Sequence, residues 1–202
     1  MKKRKTKKRE KFNLREEYKT CWKYLKNSKS FIYIVAGIFL LSVLIGFFVP
    51  VSEFVYDKIM NYIRELLEQT GGMSAFQLIQ FIIFNNVRST VFNILLGIFL
   101  GIYPLISTLA NGYLLGFVSS VSVSGAGIAS LWRLLPHGIF ELPAVFISLG
   151  LGLKMGTFIF QKNKMESFKN YLINSLKVFL LIVIPLLIIA GIIEGILIAL
   201  TR

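Results

Sequence analysis

The chain has 202 residues, 23 Lys and Arg against 10 Asp and Glu, a single His, a single Cys, and a mean hydropathy of +0.68. Charged residues make up 16% of it, where soluble domains carry roughly 25%, and residues 1–30 hold 13 Lys/Arg and 3 Glu, a net +10 that leaves only +3 for the other 172. A soluble nucleic-acid-binding protein is excluded because the basic charge forms no face interleaved with readout groups, and the lone Cys21 excludes an intrachain disulfide framework and any CxxC-type metal site.

Long apolar runs in the remainder predict an all-α, polytopic helical membrane protein. Residues 1–30 form a basic cytoplasmic arm, drawn to anionic lipid headgroups. Leu14, Tyr18, Cys21/Trp22 and Leu25 recur at helical spacing, so the arm ends in an amphipathic helix at the inner surface. Residues 31–202 form a single transmembrane domain of about five spans. No charge lies between Lys29 and Glu53, and residues 31–50 supply the roughly 20 apolar positions that a bilayer crossing needs. This run is too long for a signal peptide and no A-x-A-like site follows it, so it reads as an uncleaved first span ended by Pro50.

Residues 51–86 are expected to form an extracytoplasmic connection with interfacial helices. Ile59, Ile63, Leu66 and Leu67 make an apolar stripe there, and residues 76–84 extend a second apolar segment. Between Arg88 and Arg133 run 44 uncharged residues, which as helix would measure about 66 Å and therefore cross twice. Spans two and three are placed at 87–106 and 107–125, with the reversal at Tyr103-Pro104 or Asn111-Gly112. Spans four and five are placed at 134–155 and 173–200.

Lys and Arg concentrate in cytoplasmic loops. The arm is strongly basic, and the 154–177 connection holds five Lys against Glu166 alone. The 51–72 loop instead carries Glu53, Asp57, Glu65 and Glu68 against Lys58 and Arg64. Five spans with the N-terminus cytoplasmic and the C-terminus extracytoplasmic satisfy all three, and imply a multi-pass protein of the cell membrane.

Ionisable residues inside spans are costly and by default mark a functional site. Here Glu141, Glu194 and His137 lie inside spans, with Arg88 and Arg133 at span ends and Asn85 and Asn86 alongside. Under the assigned topology Arg88 opens span two at the outer side, His137 and Glu141 lie about 6 and 12 Å beyond Arg133, and Glu194 about 26 Å beyond Lys177. These five groups are expected to meet as one polar cluster in the outer half of the bilayer. Two Arg against two Glu balance its charge, so the layer reads either as a lock between helices or as a working site for ions, protons, metal or lipid headgroups. A metal there would have His137, Glu141, Glu194 and water as ligands; no cofactor is otherwise expected.

Around Glu141 the chain reads Pro136-His137-Gly138-Ile139-Phe140-Glu141-Leu142-Pro143. Pro136 suits a helix start, while Pro143 cannot donate to the Ile139 carbonyl, so the fourth helix should kink or break near Gly138 and Pro143. Small faces at Gly97/Gly101, Gly112/Gly116, Gly152/Gly156 and Gly191/Gly195 allow close helix packing within the chain or along a homodimer seam.

FNNVRS at 84–89, LLGIFLGIYP with NGYLLG after it, LPHGIFELPA at 135–144 and AGIIEG at 190–195 together resemble the stage II sporulation protein M family, over about residues 84–200. The resemblance implies a multispan membrane protein, similar to a scaffold that assembles with partners acting on peptidoglycan. Asn86, His137, Gly138, Glu141, Pro143 and Glu194 are the family-like positions, and the 51–75 loop lies outside the stronger match. HExxH, GxSxG and Walker-type GxxxxGK[ST] motifs are absent from the sequence. The leading expectation is a non-enzymatic scaffold with membrane or extracytoplasmic protein partners. The alternatives are a small transporter, channel or lipid-handling protein using the His/Glu/Arg site, and an intramembrane metalloenzyme.

Overall fold

A computed structural model of the chain describes residues 13–201, apart from the side chains of 132–137 and 201, and the described residues are all helical or connecting. Residues 1–12 of the basic arm lie outside them. Helix α1 (Leu14–Lys26) leads into α2 (Lys29–Phe48), α3 (Glu53–Gly71), α4 (Ala75–Leu95) and α5 (Ile102–Ala126). A 3-10 segment at Ile128–Leu134 precedes α6 (Leu135–Gly156), and α7 (Lys164–Val178) joins α8 (Ile184–Thr201) through a π-helical stretch at Phe179–Val183. Among the described residues, five helical stretches are long and apolar enough to cross a membrane: Lys29–Phe48, Ala75–Ile98, Ile102–Ala126, Gly138–Phe160 and Lys164–Leu200.

The second of these starts 12 residues earlier than 87, the position expected from the charge at Arg88. Its start is fixed by a capping box. Ser74 accepts from the Gln77 N–H at 3.4 Å while the Gln77 side chain accepts from the Ser74 N–H at 2.9 Å, satisfying two of the free donors of the first turn. Residues 75–86 therefore belong to the spanning helix, and the connection shrinks to 49–74 with α3 as its body.

The reversal between α4 and α5 falls at residues 99–101, rather than at Tyr103-Pro104 or Asn111-Gly112. Leu100 and Gly101 both take positive φ (58° and 72°), and Gly101 tolerates this because it has no Cβ. Pro104 then sits in the first turn of α5, where its missing N–H has no helical partner to lose.

Pro143 does not break α6, which continues through it to Gly156. The interruption expected of the fourth helix lies before α6, in the Ile128–Leu134 segment. In the last spanning helix Pro185 would crowd the carbonyl of Leu181, and the π-helical turn at Phe179–Val183 lies where that clash arises. This stretch reaches back to Lys164, so α7 extends it beyond the 173–200 assigned from hydropathy.

Glycines set the helix crossings. Gly97 lies against the backbone of Gly152, and Gly156 against Leu100 and Gly101, which clamps the α4–α5 turn onto α6. Gly112 and Gly116 approach the α2 carbonyls of Phe39 and Val43, and Gly46 of α2 approaches the Tyr113 carbonyl in return. Gly191 and Gly195 of α8 meet Ile83 and Ile79 of α4. All four small faces are thus occupied within the chain, and Ile94, Ala144, Leu151, Val183 and Leu187 form the apolar core among α4, α6 and the last helix.

Candidate functional site

Polar residues recur at helical spacing on the inward sides of α4 and α5. Asn86, Thr90 and Asn93 fall at i, i+4 and i+7, and Asn111 and Ser119 at i and i+8 with the apolar Leu115 between them. With Glu141 of α6 they line a cavity of about 410 Å³ closed at the back by Phe39 and Val43 of α2 and by Leu142 and Val145 of α6. Asn85, Ser89 and Asn111 are exposed, so the mouth lies between α4 and α5. Parallel packing explains the register. Gly152 stands against the Asn93 carbonyl, so Glu141, 11 residues earlier on α6, falls near the level of Asn85 and Asn86.

Hydrogen bonding within the cavity is uneven. Thr90 donates its hydroxyl to the Asn86 carbonyl at 2.7 Å, and Asn111 donates its amide to the Ser107 carbonyl at 2.8 Å. Asn93 is 1% exposed and its Oδ1 has no hydrogen-bond partner among the described residues. A buried carbonyl oxygen left unpaired costs about 1–3 kcal/mol.

Of the five charged groups expected to meet in one layer, Arg88 and Glu194 lie apart. Arg88 lies 13 residues into α4, about 20 Å from its start rather than at a span end. It is exposed, with its guanidinium 5.9 Å from the Phe92 ring, on the outward side that also carries exposed Phe84. Glu194, half-buried, falls at the level of Ile79 to Ile83 because Gly195 and Gly191 meet those residues. Arg88 is five residues, about 8 Å, further along α4 and on another side of the helix. Among the described residues no ion pair joins Arg88 or Glu194 to an opposite charge. Asn85, Asn86 and Glu141 are brought together; Arg88 and Glu194 are not. The side chains of Arg133, Pro136 and His137 lie outside the described residues, so the His137/Glu141/Glu194 metal set is not built here. Among the described residues no three His, Cys, Asp or Glu side chains converge.

A second polar cluster went unread in the sequence. Lys154, near the end of α6, is 7% exposed and points its ammonium at the Tyr24 ring (3.9 Å to centroid) and the Tyr171 ring (5.1 Å). It donates to Ser28 Oγ at 2.9 Å, and Ser28 donates in turn to the Tyr24 carbonyl at 2.7 Å. The amphipathic helix α1 is therefore docked on α7 by Cys21, Tyr24 and Leu25, while Leu14, Tyr18 and Trp22 of the expected stripe remain exposed. Lys177 adds an ion pair to Glu17 at 2.7 Å. Burial pushes the Tyr24 phenol up to about 12 and, with Glu17 nearby, raises the Cys21 thiol.

A sequence profile of the stage II sporulation protein M family matches residues 35–197, from within α2 to near the end of α8. The chain belongs to that family. The match reaches well upstream of residue 84, so α3 and its connection fall inside it. An uncharacterized protein of Methanocaldococcus jannaschii is 31% identical over 171 residues, covering 82% of this chain and 76% of its own. No solved structure matches the chain. Within the stage II sporulation protein M match lie the whole cavity, Arg88 and Lys154, whereas Tyr24 and Ser28 precede it.

Proposed function

We propose that this stage II sporulation protein M family member is a non-enzymatic scaffold that holds partner proteins in the cell membrane. The observation that carries this reading is Arg88, exposed on the outward side of a spanning helix about midway between Ala75 and Ile98. An Arg at the centre of a spanning helix costs roughly 2.5–3.5 kcal/mol or more if it meets only hydrocarbon. A partner span carrying Asp or Glu removes that cost and makes α4 the docking face. The Lys/Arg distribution supports a cytoplasmic N-terminus, an extracytoplasmic C-terminus and a basic arm at anionic headgroups. Photo-crosslinkers at Phe84 and Phe92, one turn either side of Arg88, test the scaffold. The expected result is a discrete adduct with a membrane protein bearing an acidic residue in its span, lost in Arg88→Leu; adducts with lipid alone would defeat it.

A second reading, movement of a small polar solute or lipid headgroup across the bilayer, is favoured by the cavity at Asn86, Asn93 and Glu141. Transporter sites lie near mid-depth, and Asn86 is 11 residues, about 17 Å, into α4. Flux in proteoliposomes that is unchanged by Glu141→Gln removes this reading.

A further inference from the structure

Arg88 does not stand alone on its side of α4. Asn85, Arg88, Ser89 and Phe92 fall at i, i+3, i+4 and i+7, and all four are exposed. The reversal at Leu100 brings a fifth residue beside them. Ser89 lies 11 residues before Leu100 and Asn111 lies 11 after it, so the two meet near one level of the α4–α5 pair, on the rim of the same cavity. Asn111 has turned its amide to Ser107, which leaves its Oδ1 as an acceptor. Among the described residues neither Asn85 nor Ser89 makes a side-chain hydrogen bond. Three neutral polar groups and a guanidinium are thus exposed near the middle of two spanning helices, where hydrocarbon offers them no hydrogen bond. Two occupants suit this groove poorly. Lipid phosphates sit at the bilayer surfaces, about 15 Å from the middle of the hydrocarbon core. A second copy packed on the same helices sets Arg88 against Arg88, since α4 and α5 carry no acid.

We propose that the groove between α4 and α5 seats one transmembrane helix of a partner protein, which carries an acid opposite Arg88 and, one turn from that acid, a neutral hydrogen-bonding side chain of the Asn or Gln kind for Asn85, Ser89 and Asn111. The inference rests on the scaffold reading above, and adds the partner's second polar position and its seat over the cavity mouth.

The test uses the full chain in phosphatidylcholine vesicles, titrated with dye-labelled poly-Leu peptides of about 20 residues and read by energy transfer from a donor at the chain's C-terminus. The peptides are plain, or carry Glu at the centre, or carry that Glu with Asn four residues to either side, which serves both helix directions. Half-maximal transfer is expected at about tenfold lower concentration for the Glu peptide than for the plain one, and about threefold lower again with the flanking Asn. Asn85→Leu/Ser89→Leu should abolish the threefold step and Asn111→Leu should reduce it, both leaving the tenfold step intact, whereas Arg88→Leu should remove the tenfold step. A threefold step that is absent from the unaltered chain, or that survives both polar variants, overturns this inference and leaves partner capture at Arg88 standing. Absence of the tenfold step defeats docking at Arg88 and this inference with it. A Glu preference that is lost when phosphatidylglycerol is added to the vesicles gives the guanidinium to lipid phosphate, and overturns the proposal as well.

Discussion

The ammonium of Lys154 lies 3.9 Å from the centroid of the Tyr24 ring, so a buried cation near the end of α6 is capped by a ring from α1. No carboxylate pairs with it among the described residues, and its other contacts are the Ser28 hydroxyl and the Tyr171 ring. Burying a charge without a counter-ion costs several kcal/mol, and a desolvated cation–π contact returns about 2 kcal/mol. Helix α1 is thereby part of the solvation shell of Lys154, and α1, α6 and α7 hold together as one polar knot.

That coupling predicts a non-additive pair of substitutions. Tyr24→Leu leaves the ammonium with Ser28 and the Tyr171 ring and should lower the apparent melting temperature strongly. Lys154→Met in the same background should recover part of the loss. The double-mutant cycle is expected to give about 1–2 kcal/mol of interaction; additive effects would show that ring and ammonium do not sense each other.

Cys21 reports the docking of α1. It is buried against α7, and burial together with Glu17 raises its thiol, so its thiolate is scarce near neutral pH. Maleimide labelling of the native protein should therefore be slow. Lys177→Glu breaks the ion pair with Glu17, worth about 1 kcal/mol at a partly exposed site, and should speed labelling by about fivefold. Combining it with Glu17→Lys should restore the slow rate. Fast labelling of the unaltered chain would mean that α1 is not held.

The number and class of the spanning helices were legible in the sequence because length and hydropathy alone dictate them, and apolar runs of the required length announce themselves. Their edges were not, because charge was taken as a boundary. Arg88 marks the middle of a span; the boundary signal was the capping pair Ser74 and Gln77, two neutral residues. The cavity was half legible. Asn85, Asn86 and Glu141 stood out as intramembrane polar groups, whereas Thr90 and Asn93 needed the helical repeat from Asn86, and Ser119 needed α5 to be brought beside α4. Lys154 was read only as a topology charge, since its environment comes from Tyr24 and Tyr171, distant in the chain and uncharged.

Glycine contacts give a contrast within one residue type. At Gly152 a Cβ would collide with the Asn93 carbonyl and come within 2.8 Å of the Pro104 ring, while at Gly37 nothing lies within 4 Å. Gly152→Ala forces backbone apart where α4, α5 and α6 meet, and should cost about 1–3 kcal/mol or more and reduce folded yield. Gly37→Ala should be neutral or slightly stabilising, since it removes backbone freedom from a helix interior at no steric cost. Size-exclusion profiles and melting temperatures in detergent separate the two; equal behaviour would contradict the close crossing.

Arg88 makes the sharpest prediction, because stability and assembly should move in opposite directions. On the isolated chain its guanidinium leans over Phe92 and has no described carboxylate partner, so in a bilayer it is a liability of roughly 2.5–3.5 kcal/mol unless something docks on α4. Arg88→Leu should raise or leave unchanged the melting temperature of the purified protein while abolishing the crosslinks formed from Phe84 and Phe92. Arg88→Lys, which keeps the charge but loses the planar fork, should retain part of the crosslinking. A residue that merely supported the fold would do the reverse, lowering stability in Arg88→Leu and leaving any surviving crosslinks intact.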